Sequence, residues 1–266
     1  MSQPSAPDFS ILDHPAVLGV LFHPRPEWQG AYRGPAHDLM IPVEKTTMVG
    51  ARFHVGNADA PNLLFFHGNG EIVADYDDLG AVYNAHGLNL LAVDYRGYGR
   101  SGGRPAVSSM MSDCHRILDF ASDWLAGRGM RGPLVLMGRS LGSASVLELA
   151  AAQGHRVAGL IVESGFAYAA PLLRLLGLDP ERLGYTETAG FNNIEKIRRF
   201  AGPTLVIHAE FDHIIPFKDG EALCKASGAR NKRLLKIPGA NHNDIFMRGM
   251  PAYLAAVAEL GRACVA

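Results

Sequence analysis

Six short, mostly apolar runs recur from residue 62 onward: Asn62–Phe66, Leu88–Val93, Pro133–Met137, Val157–Val162, Thr204–Ile207 and Arg233–Ile237. Runs of this length without polar alternation fit strands buried on both faces of a parallel sheet. Stretches with helical spacing lie between them. In the clearest, Cys114, Ile117, Leu118, Ala121, Trp124 and Leu125 recur three and four apart along one face, and Gly127 closes the pattern. Strands alternating with helices require right-handed crossovers and predict an open, doubly wound, mostly parallel α/β sheet.

The pattern differs before residue 62. Two strand-like runs, Asp38–Val43 and Thr46–Val55, are separated by only two residues, which predicts an antiparallel edge. The chain ahead of about Ala36 is rich in proline and turns, with one short helix expected from Pro15, at its first position, to Phe22. A second break falls between Ser164 and about Gly202, where small helices and turns such as Pro171–Gly177 replace the alternation. That interval exceeds a normal crossover, so residues 165–202 are read as a small lid inserted in a single domain spanning 1–266.

Composition narrows the function classes. With 266 residues, 48% hydrophobic and 19% charged, the chain can bury one large α/β core. A formal net charge of −1 leaves no basic field to hold a polyanion, which argues against nucleic acid as a partner. Cys114, Cys224 and Cys264 are odd in number and widely spaced, as reduced thiols would be. No C-x-x-C or H-E-x-x-H spacing occurs, so no metal is indicated. Met1–Asp8 lacks a basic segment leading into an apolar one, and no run approaches the roughly 20 apolar residues of a membrane span. A soluble, cytoplasmic protein is the expectation.

The chemistry concentrates at the ends of the apolar runs. Gly138-Arg139-Ser140-Leu141-Gly142 is a G-x-S-x-G pentapeptide between the run ending at Met137 and the helical stretch opening at Ser143. Strand, glycine-flanked serine and helix in that order form a nucleophile elbow, and they point to a serine hydrolase. A serine hydroxyl needs an imidazole to take its proton, and the imidazole needs a carboxylate to fix its tautomer. Asp212, just after the Thr204 run, and His242, after the last run, stand where open α/β sheets place such groups. The order Ser140, Asp212, His242 is that of an α/β-hydrolase triad. Glu210 and Glu163 are rivals for the acid. An aspartate capping the next helix and a solvated loop histidine are the bland alternatives.

His67-Gly68-Asn69-Gly70 ends the Asn62–Phe66 run. The backbone N–H groups of Asn69 and Leu141 are the expected oxyanion donors, with His67 packed structurally beneath the loop. Gly97–Gly102 and Gly127–Gly132 both match G-x-G-x-x-G, but the first leads into Gly103-Arg104-Pro105 instead of a helix and the second precedes a strand. Both are read as loops, not dinucleotide sites. Leu172, Leu173, Leu175 and Leu176 are candidates for an acyl pocket or for packing of the lid, and Tyr98, Arg139 and Tyr168 for the entrance.

From about Thr46 to the C-terminus the chain resembles the α/β-hydrolase family. The resemblance rests on His67–Gly70, Asp94-Tyr95-Arg96-Gly97-Tyr98-Gly99-Arg100-Ser101, the serine elbow, Asp212 ahead of Ile214-Ile215-Pro216, and Gly239–Asp244. Within the family it looks most like small-lidded esterase- and thioesterase-like members, among them protein depalmitoylases. The resemblance implies hydrolysis of esters, thioesters or related acyl compounds without a cofactor, on a small-molecule ester or an acylated protein. A peptidase with the same triad and a catalytically silent binding protein on the same fold remain alternatives.

Overall fold

The structure, a computed structural model, describes residues 9–28 and 34–265. The reading of Met1–Asp8 lies outside these residues. Helix α1 (Pro15–Leu21) is followed by strands β1 (His37–Pro42), β2 (Met48–His54) and β3 (Asn62–Phe66), helix α2 (Asp77–Ala85), β4 (Asn89–Val93) and α3 (Val107–Gly127). Next come β5 (Leu134–Arg139), α4 (Gly142–Gln153), β6 (Gly159–Glu163), α5 (Ala169–Leu175) and α6 (Asn193–Arg199). The chain continues through β7 (Thr204–Ala209), α7 (Phe217–Ala226), β8 (Lys232–Ile237) and α8 (Ile245–Ala263). All six apolar runs from residue 62 onward are strands of one eight-stranded sheet in the order β1-β2-β4-β3-β5-β6-β7-β8. The pairings β1 with β2 and β2 with β4 are antiparallel, and the rest are parallel.

The absence of alternation in the strands follows from burial on both faces: every residue of β3, β4, β6 and β7 is buried. One face packs against α1 and α3–α7 through side chains such as Leu64, Val146, Ile197 and Leu223. The other packs against α2 and α8 through Leu63, Tyr83, Tyr253 and Val257. Removing this apolar area from water is the main stabilising term.

Parallel register sets the location of the site. Phe66 pairs with Gly138, Arg139 with Glu163 and Ala209 with Ile237, so the strands end in step. The loops that follow β3, β5, β7 and β8 therefore open along one edge of the sheet, the carboxyl edge where open α/β sheets carry ligands.

The interval between β6 and β7 divides in two. Helix α5 overhangs that edge, whereas α6 packs on α4 with Ile197 fully buried. Helix α6, near the end of the 165–202 segment, thus packs as a body helix of the crossover.

Glu148 on α4 ties three helices together. It forms an ion pair with Lys196 of α6 at 2.7 Å and lies 3.4 Å from His115 of α3. Burial alone would raise its carboxyl, but His115 and Lys196 outweigh burial and bring it down to about 2. Because the folded value lies below the ordinary one, this stabilisation is full above pH 4.5 and is lost as pH falls toward 2. Glu148→Gln is expected to lower unfolding stability at pH 7 by about 2–3 kcal/mol, with the deficit shrinking below pH 4. Urea titrations at pH 7, 4 and 3 measure both effects.

Candidate functional site

Ser140 stands in a tight turn between β5 and α4 with φ 49°. A non-glycine residue is strained there, at a cost of about 1–3 kcal/mol, and the turn persists because its surroundings hold it. The Ser140 N–H donates to the Glu163 carbonyl at 2.9 Å. The Ser140 carbonyl accepts the Ser143 N–H at 3.0 Å and the Ser143 hydroxyl at 2.6 Å. The flanking glycines are required by space. A Cβ on Gly138 would lie 2.5 Å from the Gly142 carbonyl oxygen, and one on Gly142 would lie 2.1 Å from that of Phe66.

His242, in the loop after β8, reaches this turn from the other side. Its Nε2 is 3.1 Å from Ser140 Oγ, and its Nδ1 is 2.7 Å from Asp212 Oδ2. All three residues are buried. Burial by itself would raise the Asp212 carboxyl. The hydrogen bond and charge of His242, with the N–H groups of Ile215 and Ile214, overcome that and hold it below the usual aspartate value. An ionised Asp212 accepts the Nδ1 proton, which leaves Nε2 free to accept the serine proton. Asp212 Oδ1 also accepts the Ile214 and Ile215 N–H groups at 3.0 and 2.8 Å, so the carboxylate organises its own turn as well as the ring.

The rivals for the acid lie elsewhere. Glu210 is on the surface, paired with Lys236 at 2.8 Å and with the Gly239 N–H at 2.9 Å. Glu163 accepts the Tyr253 hydroxyl at 2.6 Å and faces Arg139. His67 is fully buried, with Nε2 3.2 Å from Asp94 Oδ1, and is a support beneath the loop.

The 67–70 loop is fastened from three directions. Tyr95 donates its hydroxyl to the His67 carbonyl at 2.7 Å, and Tyr98 donates to Asn69 Oδ1, also at 2.7 Å. The Asn69 amide donates to the Leu21 carbonyl at 2.7 Å, while its Oδ1 accepts the His23 N–H at 2.9 Å. Neither the Asn69 nor the Leu141 N–H has an acceptor among the described residues.

Tyr98 is completely buried, so it supports the loop and does not face the entrance. The supporting roles of Asp94, Tyr95, Tyr98, Leu21 and His23 are absent from a reading of the sequence. The acidic and aromatic residues directly after β4 were a usable signal, since β4 pairs with β3.

Leu21, His23, Asn69, Arg139, Ser140, Leu141, Leu172, Leu176, Ile214 and His242 are among the residues lining a cavity of about 230 Å³. Leu172 and Ile214 also border a neighbouring cavity of about 170 Å³ with Phe166, Tyr168, Leu175 and Pro216. Of the four candidate leucines, Leu173 is buried in the body and the other three line these cavities. Geometrically the site offers a hydroxyl bonded to an imidazole, the imidazole bonded to a carboxylate, open N–H groups beside the hydroxyl, and an apolar chamber in front.

Comparison with known proteins agrees with this architecture. The model of the serine aminopeptidase S33 family matches residues 59–178. Human alpha/beta hydrolase domain-containing protein 17B is 32% identical over 195 residues, which cover 70% of this chain and 62% of that protein. The chain is an α/β-hydrolase. An esterase of Pyrococcus furiosus superposes on this α/β-hydrolase with a TM-score of 0.72 at 16% identity, covering 92% of this chain and all of that one. Est1E from Butyrivibrio proteoclasticus with bound ferulic acid gives a TM-score of 0.72 at 21% identity, covering 85% and 99%. An uncharacterized protein of Mycobacterium tuberculosis is 28% identical over 246 residues, 85% of this chain and 81% of its own. The likeness to these esterases is one of fold. No helix among the described residues is long and apolar enough to cross a membrane.

Gly142→Ala is expected to reduce stability by about 2 kcal/mol or more, because the new methyl meets the rigid Phe66 backbone and not a side chain that can turn away. Thermal unfolding of the purified variant against the parent protein tests this.

Proposed function

We propose that this α/β-hydrolase is a serine hydrolase that cleaves carboxylic ester or thioester bonds through an acyl-enzyme. The observation that carries the reading is the hydrogen-bonded line from Ser140 Oγ to His242 to Asp212, 3.1 and 2.7 Å, opening on the 230 Å³ cavity. In the first step Ser140 Oγ attacks the acyl carbon while His242 Nε2 takes its proton. The carbonyl oxygen becomes an oxyanion that meets the Asn69 and Leu141 N–H groups. Asp212 holds the ring in the tautomer that accepts at Nε2 and steadies the imidazolium. His242 then protonates the departing alcohol or thiol. Water, deprotonated by the same nitrogen, attacks the acyl-serine, and as the acyl–Oγ bond breaks to release the acid the nitrogen returns that proton to Ser140 Oγ.

A peptidase reading is favoured by one observation, the match to the serine aminopeptidase family. An aminopeptidase must hold a free α-amino group, and Glu71 is the carboxylate lining the cavity. Glu71 is already taken by Arg139, the Gly68 N–H and the Tyr76 hydroxyl. That engagement, with the leucines facing the chamber, favours an apolar acyl group. The overhang around α5 acts as the lid that shapes this chamber.

Ser140→Ala is expected to abolish covalent labelling by a fluorophosphonate and to lower p-nitrophenyl ester turnover by roughly 10⁴- to 10⁶-fold. Persistent labelling of the variant would move the nucleophile elsewhere, and a parent protein that neither labels nor turns over esters would make the fold a binding scaffold. A panel of esters, thioesters and amides sharing one acyl group separates the esterase from the peptidase.

Leu172 and Ile214 form the ridge between the two cavities. Leu172→Ala is expected to raise the ratio of decanoyl to acetyl ester turnover by about tenfold. A ratio that does not change would show that the neighbouring cavity takes no part in acyl binding.

A further inference from the structure

Arg139, the residue before the proposed nucleophile, has no part in the acyl-transfer steps, yet it touches the loops that carry them. Its Nε donates to Glu71 Oε1 at 2.8 Å, and its Nη2 donates to the His242 carbonyl at 3.0 Å. Nη1 is buried 3.5 Å from Glu163 Oε1, whose partner oxygen accepts the Tyr253 hydroxyl. Glu71 carries the connection onward, since its Oε2 accepts the Gly68 N–H at 2.7 Å and the Tyr76 hydroxyl at 2.6 Å. Gly68 precedes Asn69.

We propose that Arg139 and Glu71 are positioning residues that fix the separation between the His242 loop and the Asn69 loop across the Ser140 hydroxyl. The inference rests on the serine hydrolase reading and adds to it the device that keeps base and oxyanion donor in register. A guanidinium suits this task because its donors are fixed in one plane, so holding Glu71 with one edge sets the direction of the bond to His242 with the other. An ammonium on a flexible stem satisfies one of the two at a time. The polar atoms of both side chains are turned mainly to protein groups. Two Arg139 nitrogens are engaged and the third is buried, and both Glu71 oxygens are engaged. Their influence on the reaction therefore passes through the two loops.

The ordinary alternative is an ion pair that merely stabilises the fold. It predicts a lower unfolding temperature with the kinetics of the folded fraction intact. The two accounts part in the split between kcat and KM.

The test uses the full chain and p-nitrophenyl acetate, with Arg139→Met, Arg139→Lys, Glu71→Gln and the Met/Gln double variant. Folding is checked by circular dichroism and Ser140 integrity by phosphonate labelling. Arg139→Met is expected to lower kcat by about 10²-fold with KM within about threefold, the cost of a base displaced by about 1 Å. Arg139→Lys recovers part of the loss, Glu71→Gln costs a similar factor, and the double variant is no worse than the worse single one, as members of one device behave. A kcat within twofold of the parent in folded Arg139→Met, a rise in KM at constant kcat, or losses that multiply in the double variant would each overturn the proposal. If Arg139→Met does not fold, the shape-preserving Lys and Gln variants carry the same criterion, with a kcat within twofold in both overturning it. A parent protein that fails to label or turn over ester would instead overturn the hydrolase reading, and the two failures are thus told apart.

Discussion

The left-handed backbone at Ser140 is the constraint around which the molecule is organised. The turn exists because β5 must stop in step with β3 and β6 while α4 begins almost at once, close against the Phe66 carbonyl. Glycines at 138 and 142 admit that approach, and the carbonyl of Glu163 and the hydroxyl of Ser143 hold the strained residue from either side. The hydroxyl is thereby raised above the sheet edge at a place determined by main-chain packing and not by its own rotamer. Asn69, Asp212 and His242 come to it on the loops that follow β3, β7 and β8, all of which open at the same edge of the sheet.

Much of this was legible in the sequence. The six apolar runs are all strands because burial on both faces erases polar alternation, a signal that survives without any partner being known. The pentapeptide, Asp212 and His242 could be singled out because each follows such a run, and the parallel register then brings them within hydrogen-bond distance. The helix opening at Pro15 and the antiparallel β1–β2 edge followed from proline placement and from a two-residue connection.

What stayed hidden depends on pairs distant in sequence. Nothing in the spacing of Tyr98 and Asn69 shows that one donates to the other, and a tyrosine among glycines reads more naturally as a surface residue than as a fully buried strut. Arg139 shows the same limit. Its place beside the serine suggested the entrance, and it does line the chamber, but its hydrogen bonds to residues 71 and 242, which only the folded sheet makes neighbours, could not be read there. The segment from 165 to 202 read as one unit because no pattern marks where α5, over the edge, gives way to α6, against α4.

The hold of Leu21 and His23 on the Asn69 side chain makes the start of the chain part of the mould in which the chamber is cast. The region matched by the family model begins at residue 59, well downstream of those two. One wall of the chamber is thus set by a segment separate from the strands that carry Ser140, Asp212 and His242. A change in that strap would alter the outline of the chamber without touching the Ser140–His242–Asp212 hydrogen bonds.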